Sequence, residues 1–346
     1  MRGFCAGVLG LALVGVLTSG CARPDIAEPI WVDDEVTFVA DGLTLHGTYR
    51  HPSGAVSGPA ALLISESGAT DRNGDNNVAG PIGNMRQLAD YLSEQQVATL
   101  RYDKVGTGAT GLGPYEDRPA DVGSAVYTAG ARAAAQFLAE QPGTDSSRIS
   151  VYAVGEGAMH AMSLAADTSA GAPMIHSLAL LQPLSARYLD LIGSRVGNEM
   201  AAAVRAGTQT RQQADRVLAA WAAAVEQVRS TGSAPAALPA GLSAIVNPDN
   251  VRAVAEADSI DPLALAARIP AGTPVLLTCS DSDGQASCTG MPALVGALAH
   301  TDLDFVELTG VNHVLRDDPT DNVARYAQQG PLSSQLTAAV DRFVTQ

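Results

Sequence analysis

The chain has 346 residues and a formal net charge of −15 at pH 7. A charge of this sign argues against nucleic acid and against anionic membrane surfaces as partners. The length exceeds the roughly 250 residues at which a single core usually stops growing, so we expect one large domain with an inserted subdomain.

The N-terminal segment has the pattern of an export signal. Arg2 precedes an apolar stretch over 4–16, which is shorter than the roughly 20 residues that a spanning helix needs. The following Ser19-Gly20-Cys21 resembles the lipobox of bacterial lipoproteins. The resemblance implies a signal peptide over 1–20, a diacylglyceryl group on Cys21 and a lipidated tether over 21–30. The expected location is the cell membrane, with the chain anchored by its lipid on the extracytoplasmic side. The alternative is an ordinary signal peptide with an incidental cysteine.

The remaining sequence, 31–346, alternates strand-like and helical patterns. An Asp41-Gly42 turn between two alternating runs predicts a leading hairpin. Strands are predicted at 36–40, 43–49, 60–65, 97–102, 149–154, 177–181, 273–278 and 304–308, and helices at 82–95, 124–140, 158–166, 291–299 and 332–344. This order predicts an α/β fold with a mostly parallel sheet covered on both faces.

One stretch, about 186–267, carries helical patterns without a convincing strand, which predicts a helical cap. Its clearest helix is Thr210–Val228, where Val217, Leu218, Trp221 and Val225 recur at helical spacing. We expect this apolar stripe to pack against the sheet.

Four stretches in order resemble the α/β-hydrolase fold and, within it, bacterial carboxylesterases of the EstD or dienelactone-hydrolase-related group. They are Asp41–Gly47, Ser67–Gly74, Leu100–Gly108, and Asp261-Pro262 leading into Pro274–Leu277. The resemblance covers about 36–343. It implies an eight-stranded, mostly parallel sheet with helices on both faces and a helical cap insertion. The implied activity is hydrolysis of carboxylic esters.

The position of the nucleophile is the main departure from this family. The fold places its nucleophile on a tight strand-to-helix turn, in a Gly-x-Ser-x-Gly frame. The candidate turn here is Ala153-Val154-Gly155-Glu156-Gly157, which puts Gly155 where the serine belongs. Glycine suits the strained backbone of this turn but has no attacking atom.

The acid and the base are expected after the last two strands. The resemblance places the acid at Asp283, with Asp281 as a fallback, and the histidine at His313 within Asn312-His313. The chain order 155, 283, 313 is the order expected of this fold. Whether His313 still acts as a base is a separate question.

The oxyanion hole of the family uses two backbone N–H groups. One is expected from Glu156 and the other from the loop Glu66-Ser67-Gly68. The family loop commonly has glycine where this sequence has Glu66. A carboxylate pointing inward there would oppose the stabilisation of negative charge.

The cysteines left after export are Cys279 and Cys288, within one predicted loop. An even remainder in an exported chain predicts a disulfide between them, and a metal pair is the competing interpretation. The stretch Asp71–Asn77 superficially suggests calcium, but position six is Asn76 and position twelve is Ile82, so it departs from the calcium template. We expect no metal and no cofactor.

Two functions remain open. The chain is either a weakly active or inactive ester hydrolase, or a binding module (a pseudo-hydrolase) for an ester, acyl or peptide ligand. Activity would require a displaced nucleophile, for which Ser65, Ser67 and Asp71 are candidates, or a water activated by His313. We also expect that Gly155→Ser creates esterase activity.

Overall fold

The computed structural model describes residues 30–54, 57–239, 241–328 and 330–345. The predicted signal peptide, Cys21 and nearly all of the tether lie outside these ranges. Among the described residues, no helix combines the length and the apolar character that crossing a bilayer requires.

Eight strands form one sheet in the order β1-β2-β4-β3-β5-β6-β7-β8. Their bounds are β1 Trp31–Ala40, β2 Leu43–Pro52, β3 Gly58–Ile64, β4 Ala98–Tyr102, β5 Thr144–Val154, β6 Ser177–Leu181, β7 Pro274–Ser280 and β8 Asp302–Leu308. β2 pairs antiparallel with β1 and β4, whereas all other pairs are parallel. The predicted α/β fold with a mostly parallel eight-stranded sheet is confirmed.

The leading hairpin turns through two residues, as its Asp-Gly pair predicts. Ala40 pairs with Leu43, and the two residues between them, Asp41 and Gly42, both have positive φ. Positive φ at both central positions is the geometry that matches the twist of two antiparallel strands.

Ten α-helices are described: α1 Asn84–Glu94, α2 Ser124–Ala139, α3 Gly157–Ala165, α4 Tyr188–Arg205, α5 Arg211–Thr231, α6 Leu242–Ile245, α7 Val251–Ser259, α8 Pro262–Ala266, α9 Pro292–Ala297 and α10 Ser334–Val344. Side chains alternate across the sheet, so Leu62 and Leu63 of β3 belong to different cores. The core around Leu62 also holds α2, α3 and α9. The core around Leu63 holds α1 and α10.

Helices α4 to α8 connect β6 to β7, in the segment predicted as the cap. The expectation that the stripe of α5 packs against the sheet is wrong. Trp221 and Val228 are buried in a separate cluster with Ile192 of α4 and Val254 of α7. The cap therefore has a core of its own, because its helices are numerous enough to cover one another's apolar faces.

Candidate active site

The turn between β5 and α3 carries Gly155, with φ +55°. Its N–H donates to the carbonyl of Leu181 at 3.1 Å. Two residues later, a Cβ on Gly157 would lie 2.8 Å from the carbonyl oxygens of Ile64 and Ser65. The close approach of α3 to β3 therefore requires glycine at 157, and the alignment that puts Gly155 in the serine position fits the backbone.

Asp283 and His313 meet at the carboxyl edge of the sheet. Each follows a strand, β7 and β8 respectively, and His313 Nδ1 donates to Asp283 Oδ2 at 2.7 Å. Both side chains are buried. The fallback acid, Asp281, is exposed and accepts the N–H of Gly310 instead. The structure thus brings Asp283, and not Asp281, to His313.

Gln182, which the sequence reasoning missed, holds this pair from β6. It is fully buried directly after the strand. With its amide nitrogen turned toward them, it donates to Asp283 Oδ2 at 3.0 Å and to the carbonyls of Asn312 and His313. The sequence does indicate this role, because Gln182 directly follows an apolar strand. The carboxyl ends of parallel strands meet at one edge of the sheet, where Asp283 and His313 also follow their strands.

The side chain opposite His313 is Glu66, the residue that follows Ser65 in the loop after β3. His313 Nε2 donates to Glu66 Oε2 at 2.7 Å. The other carboxylate oxygen, Oε1, accepts the N–H of Ser67 at 2.6 Å and that of Glu156 at 3.3 Å. These are two of the N–H groups expected to form the oxyanion hole, and a carboxylate oxygen occupies it.

The same carboxylate lies over Gly155. A Cβ on Gly155 would overlap Oε2, Oε1 and Cδ of Glu66. A side chain at position 155 would therefore require the Glu66 carboxylate to move and would have to adopt a positive φ that favours glycine. The space above the turn holds neither a hydroxyl nor a void, but the carboxylate of Glu66.

Charge stabilises this arrangement. Burial raises the pKa of Glu66, but the positive charge of His313 and hydrogen bonds from His313 and Ser67 outweigh it and lower that pKa to about 2. Burial lowers the pKa of His313, but the carboxylates of Asp283 and Glu66 raise it well above its usual 6.5. At neutral pH Glu66 is therefore a carboxylate and His313 an imidazolium.

Lys104, the only lysine in the sequence, lies behind the loop. Its Nζ donates to the backbone carbonyl of Glu66 and lies 5.1 Å from the ring centroid of Tyr127. Burial lowers its pKa to about 8, although Glu156 and Glu66 act in the opposite direction. Burial raises the pKa of Glu156, against the effect of Lys104. Lys104 thus fixes the backbone from which the Glu66 side chain projects.

Two of the candidate displaced nucleophiles, Ser65 and Asp71, hydrogen-bond within their own loop. Ser65 Oγ donates to the carbonyl of Thr70 at 3.0 Å. The carboxylate of Asp71 accepts the N–H groups of Asn73 and Asp75. Ser67 lines the cavity, and its N–H is bound to Glu66. Within the described part of the chain, none of these side chains forms a hydrogen bond with His313.

A cavity of about 710 Å³ opens above Glu66 and His313. One wall is the loop 67–84, a second comes from the segment after His313, and the third is helix α4 of the cap. The cavity lining includes Asn198, Gln285, Val314, Val323 and Tyr326. The carboxylate of Glu66 is therefore at the floor of a cavity of ligand size.

The predicted disulfide between Cys279 and Cys288 is present. The sequence places both cysteines in one loop, but Cys279 is the next-to-last residue of β7. Cys288 begins a short 3-10 helix. The bond closes the loop that carries Asp283. Because the two sulfurs bond each other, they do not form the metal pair considered as the alternative.

Comparisons with known proteins give structural but not sequence matches. No family model matches the chain, and neither does any curated protein sequence. Esterase Pf2001 from Pyrococcus furiosus has a similar structure, with a TM-score of 0.55, 16% identity, and coverage of 91% of this chain and 92% of the esterase. The chain has the α/β-hydrolase fold.

Two further structures share this α/β-hydrolase fold. Acetyl xylan esterase 1 from Thermoanaerobacterium sp. JW/SL YS485 has a TM-score of 0.52 and 14% identity, covering 92% of this chain and 88% of that one. Est1E from Butyrivibrio proteoclasticus has a TM-score of 0.52 and 15% identity, covering 90% and 97%. The predicted fold is thus confirmed over nine-tenths of the chain.

Proposed function

We propose that this chain is an exported, lipid-anchored α/β-hydrolase-fold protein that has lost serine-type ester hydrolysis and keeps its pocket to bind a small ester, acyl or peptide ligand. The observation that carries this proposal is the carboxylate of Glu66 over Gly155.

Gly155 and Glu66 together remove three requirements of the serine mechanism. That mechanism needs an attacking hydroxyl, a neutral histidine to accept its proton, and a vacant oxyanion hole. Gly155 supplies no hydroxyl. Glu66 keeps His313 protonated and fills the hole with its own Oε1. Restoring any one of the three leaves the other two blocked.

The same contacts argue against direct activation of water by His313. The Nε2 proton of the imidazolium points at Glu66 Oε2, so Nε2 has no lone pair for a water proton at neutral pH. Loss of the nucleophile in a serine protease costs about a million-fold in turnover. We expect short p-nitrophenyl esters to be hydrolysed barely above background.

Ligand binding is supported by the retained cavity. Its volume is within the roughly 300–1,000 Å³ range of small-molecule sites. Val314, Val323 and Tyr326 offer apolar surface to the cavity, while Asn198 and Gln285 offer amides. An acyl group with a polar end matches this division of the lining.

The proposal is tested by comparing the wild type with Gly155→Ser, Glu66→Gly and the double variant, using p-nitrophenyl acetate. Gly155→Ser alone is expected to stay inactive, contrary to the sequence-based expectation, because the serine Cβ would overlap the Glu66 carboxylate. Only the double variant both supplies a hydroxyl at position 155 and removes the carboxylate from the oxyanion hole and from His313. It alone should therefore gain activity.

The controls separate function from folding. Thermal unfolding monitored by circular dichroism identifies variants that fail to fold. A robust wild-type rate that His313→Ala abolishes would refute the proposal. A Gly155→Ser variant as active as the double variant would show that Glu66 does not block the site.

A further inference from the structure

The donors that surround Glu66 already donate to it. His313 Nε2 donates to Oε2 at 2.7 Å, and the N–H groups of Ser67 and Glu156 donate to Oε1. The two oxygens of a carboxylate can accept about four hydrogen bonds, so Oε2, which accepts one, keeps a lone pair. The Glu66 side chain is 19% exposed, compared with 2% for His313. A ligand that reaches the floor of the cavity therefore meets an acceptor and has to bring the donor.

Asp321 adds a second carboxyl group to the cavity lining. Its Oδ1 accepts the N–H of His313 at 3.0 Å and the hydroxyl hydrogen of Tyr326. Burial raises the pKa of Tyr326, and the hydrogen bond to Asp321 and the negative charges of Asp321, Asp283 and Glu66 raise it further. Negative charge therefore acts on this wall of the cavity, and the Tyr326 hydroxyl hydrogen is not available to a ligand.

A buried acceptor in the same lining has no partner. Asn84 begins α1, lines the cavity and is 4% exposed. Its Oδ1 accepts no hydrogen bond from the described residues. This oxygen lies against Gly74, which also lines the cavity, since a Cβ on Gly74 would overlap it. An acceptor buried without a partner is unfavourable, and a ligand donor entering beside Gly74 would satisfy it.

The rest of the lining offers apolar surface. Ile82, Val314 and Tyr326 form one buried cluster that borders the cavity. Val78 and Val323 also line the cavity and are 88% and 45% exposed. A ligand with an apolar chain would remove part of this surface from water, which favours binding.

We propose that the cavity binds a small ligand with a primary ammonium group on an apolar chain, the ammonium against Glu66 and the chain against Val314 and Val323. The inference rests on the proposed function, and among ester, acyl and peptide ligands it selects those with a free amino group. An ammonium has three donors and no acceptor, which complements the floor. A hydrogen bond between two charged groups is about twice as strong as a neutral one, so Glu66 favours an ammonium over a hydroxyl.

The test compares three ligands of matched chain length by isothermal titration calorimetry at pH 7. They are hexylamine, which is protonated at this pH as a lysine side chain is, 1-hexanol and hexanoate. Hexylammonium should bind the wild type with a Kd about ten-fold or more below that of hexanol. Hexanoate should bind most weakly, because its charge is repelled by Glu66. Glu66→Gln keeps the size of the side chain and should abolish the preference for hexylammonium over hexanol.

Two variants control for charge. Glu116→Gln changes the net charge equally at an exposed residue remote in sequence from the cavity, and it should keep the preference. Glu199→Gln removes a carboxylate from helix α4, in the exposed part of the cavity lining. If Glu199→Gln abolishes the preference and Glu66→Gln does not, the ammonium lies against the cap and the assignment to Glu66 is wrong.

A measurement on the wild type keeps the test decisive if Glu66→Gln fails to fold. Hexylammonium should shift the nitrogen-15 resonance of His313 Nε2 more than hexanol does, because it binds the carboxylate that accepts the Nε2 proton. An equal or smaller shift would place the ammonium away from the floor.

Binding of hexanol or hexanoate as tight as that of hexylammonium would overturn the inference but leave ligand binding in place. Absence of binding by all three would overturn the inference as well. The proposed loss of serine-type hydrolysis is tested separately, by the p-nitrophenyl acetate series.

Discussion

Gly155 and Glu66 are two halves of one structural feature. The carboxylate can lie over the turn only because residue 155 has no Cβ, and it is held there by His313 and two backbone N–H groups. A glycine at 155 alone would leave a void above the turn. In the proposed function, the Glu66 carboxylate thus lies where the serine mechanism would need a hydroxyl.

The ion pair between Glu66 and His313 predicts a pH-dependent contribution to stability. The Glu66 contribution is full above its usual pKa of 4.5 and is lost as pH falls toward about 2. The His313 contribution is full below its usual 6.5 and is lost as pH rises through its raised pKa. Glu66→Gln should therefore lower the free energy of unfolding most between pH 4.5 and 6.5.

Urea unfolding across this pH range measures the effect. The matched control is Glu116→Gln, because Glu116 is exposed and remote in sequence from the site. It should lower the free energy of unfolding little, and equally at each pH. A Glu66→Gln effect of constant size from acid to alkaline pH would contradict the ion pair.

At the scale of elements, the disulfide joins the end of β7 to the loop that carries Asp283. The sequence separation of its cysteines is 9. Closing a loop of this length reduces the entropy of the unfolded chain and stabilises the fold by about 2–3 kcal/mol. We expect the double variant Cys279→Ser/Cys288→Ser to lose about this much, measured by urea unfolding against the oxidised wild type.

Reduced wild-type protein is the internal control for that measurement, because it lacks the bond but keeps the sulfurs. It should match the double variant. If reduction leaves the free energy of unfolding unchanged, the loop is held by its other contacts, such as the hydrogen bonds from Gln285 and Ala286 to Asp283.

Strands and the order of the site loops could be predicted because they depend on local patterns. Period-two alternation locates β2, and the resemblance to the α/β-hydrolase fold assigns the turn, acid and histidine positions to Gly155, Asp283 and His313. The inward orientation of Glu66 could not be predicted, because the path of its loop depends on contacts with Lys104 and His313, distant in sequence. The prediction that α5 packs against the sheet was wrong, because an apolar stripe does not reveal which surface covers it.

At the scale of the molecule, the first strand, β1, begins at one edge of the sheet and the candidate site lies at the opposite edge. Trp31 pairs with Pro52, and Arg50 pairs with Thr99 near the start of β4, so β1 begins at the edge opposite His313. An extended tether between Cys21 and Ile30 would reach at most about 30 Å. If Cys21 is lipidated, the anchor therefore joins the folded domain at the edge of the sheet opposite the cavity.

The proposed lipid anchor on Cys21 can be tested directly. Expressed in a bacterium that processes lipoproteins, the wild type should partition with the membrane fraction and incorporate labelled palmitate. Cys21→Ser should remove the label and shift the protein to the soluble fraction. The control is Cys279→Ser/Cys288→Ser, which changes two cysteines but leaves the lipobox intact. Palmitate incorporation in Cys21→Ser would show that the anchor is elsewhere.

The overlap between Glu66 and any side chain at 155 also restricts how related sequences can diverge. A serine gained while Glu66 remains must displace a carboxylate from three hydrogen bonds, whereas loss of the glutamate leaves the glycine backbone undisturbed. The less costly order of substitutions replaces Glu66 first and introduces a serine at position 155 second. The intermediate sequence then has neither the glutamate nor the serine. Related sequences are therefore expected to carry glutamate at position 66 with glycine at 155, or serine at 155 without the glutamate. Glutamate at 66 together with serine at 155 is not expected.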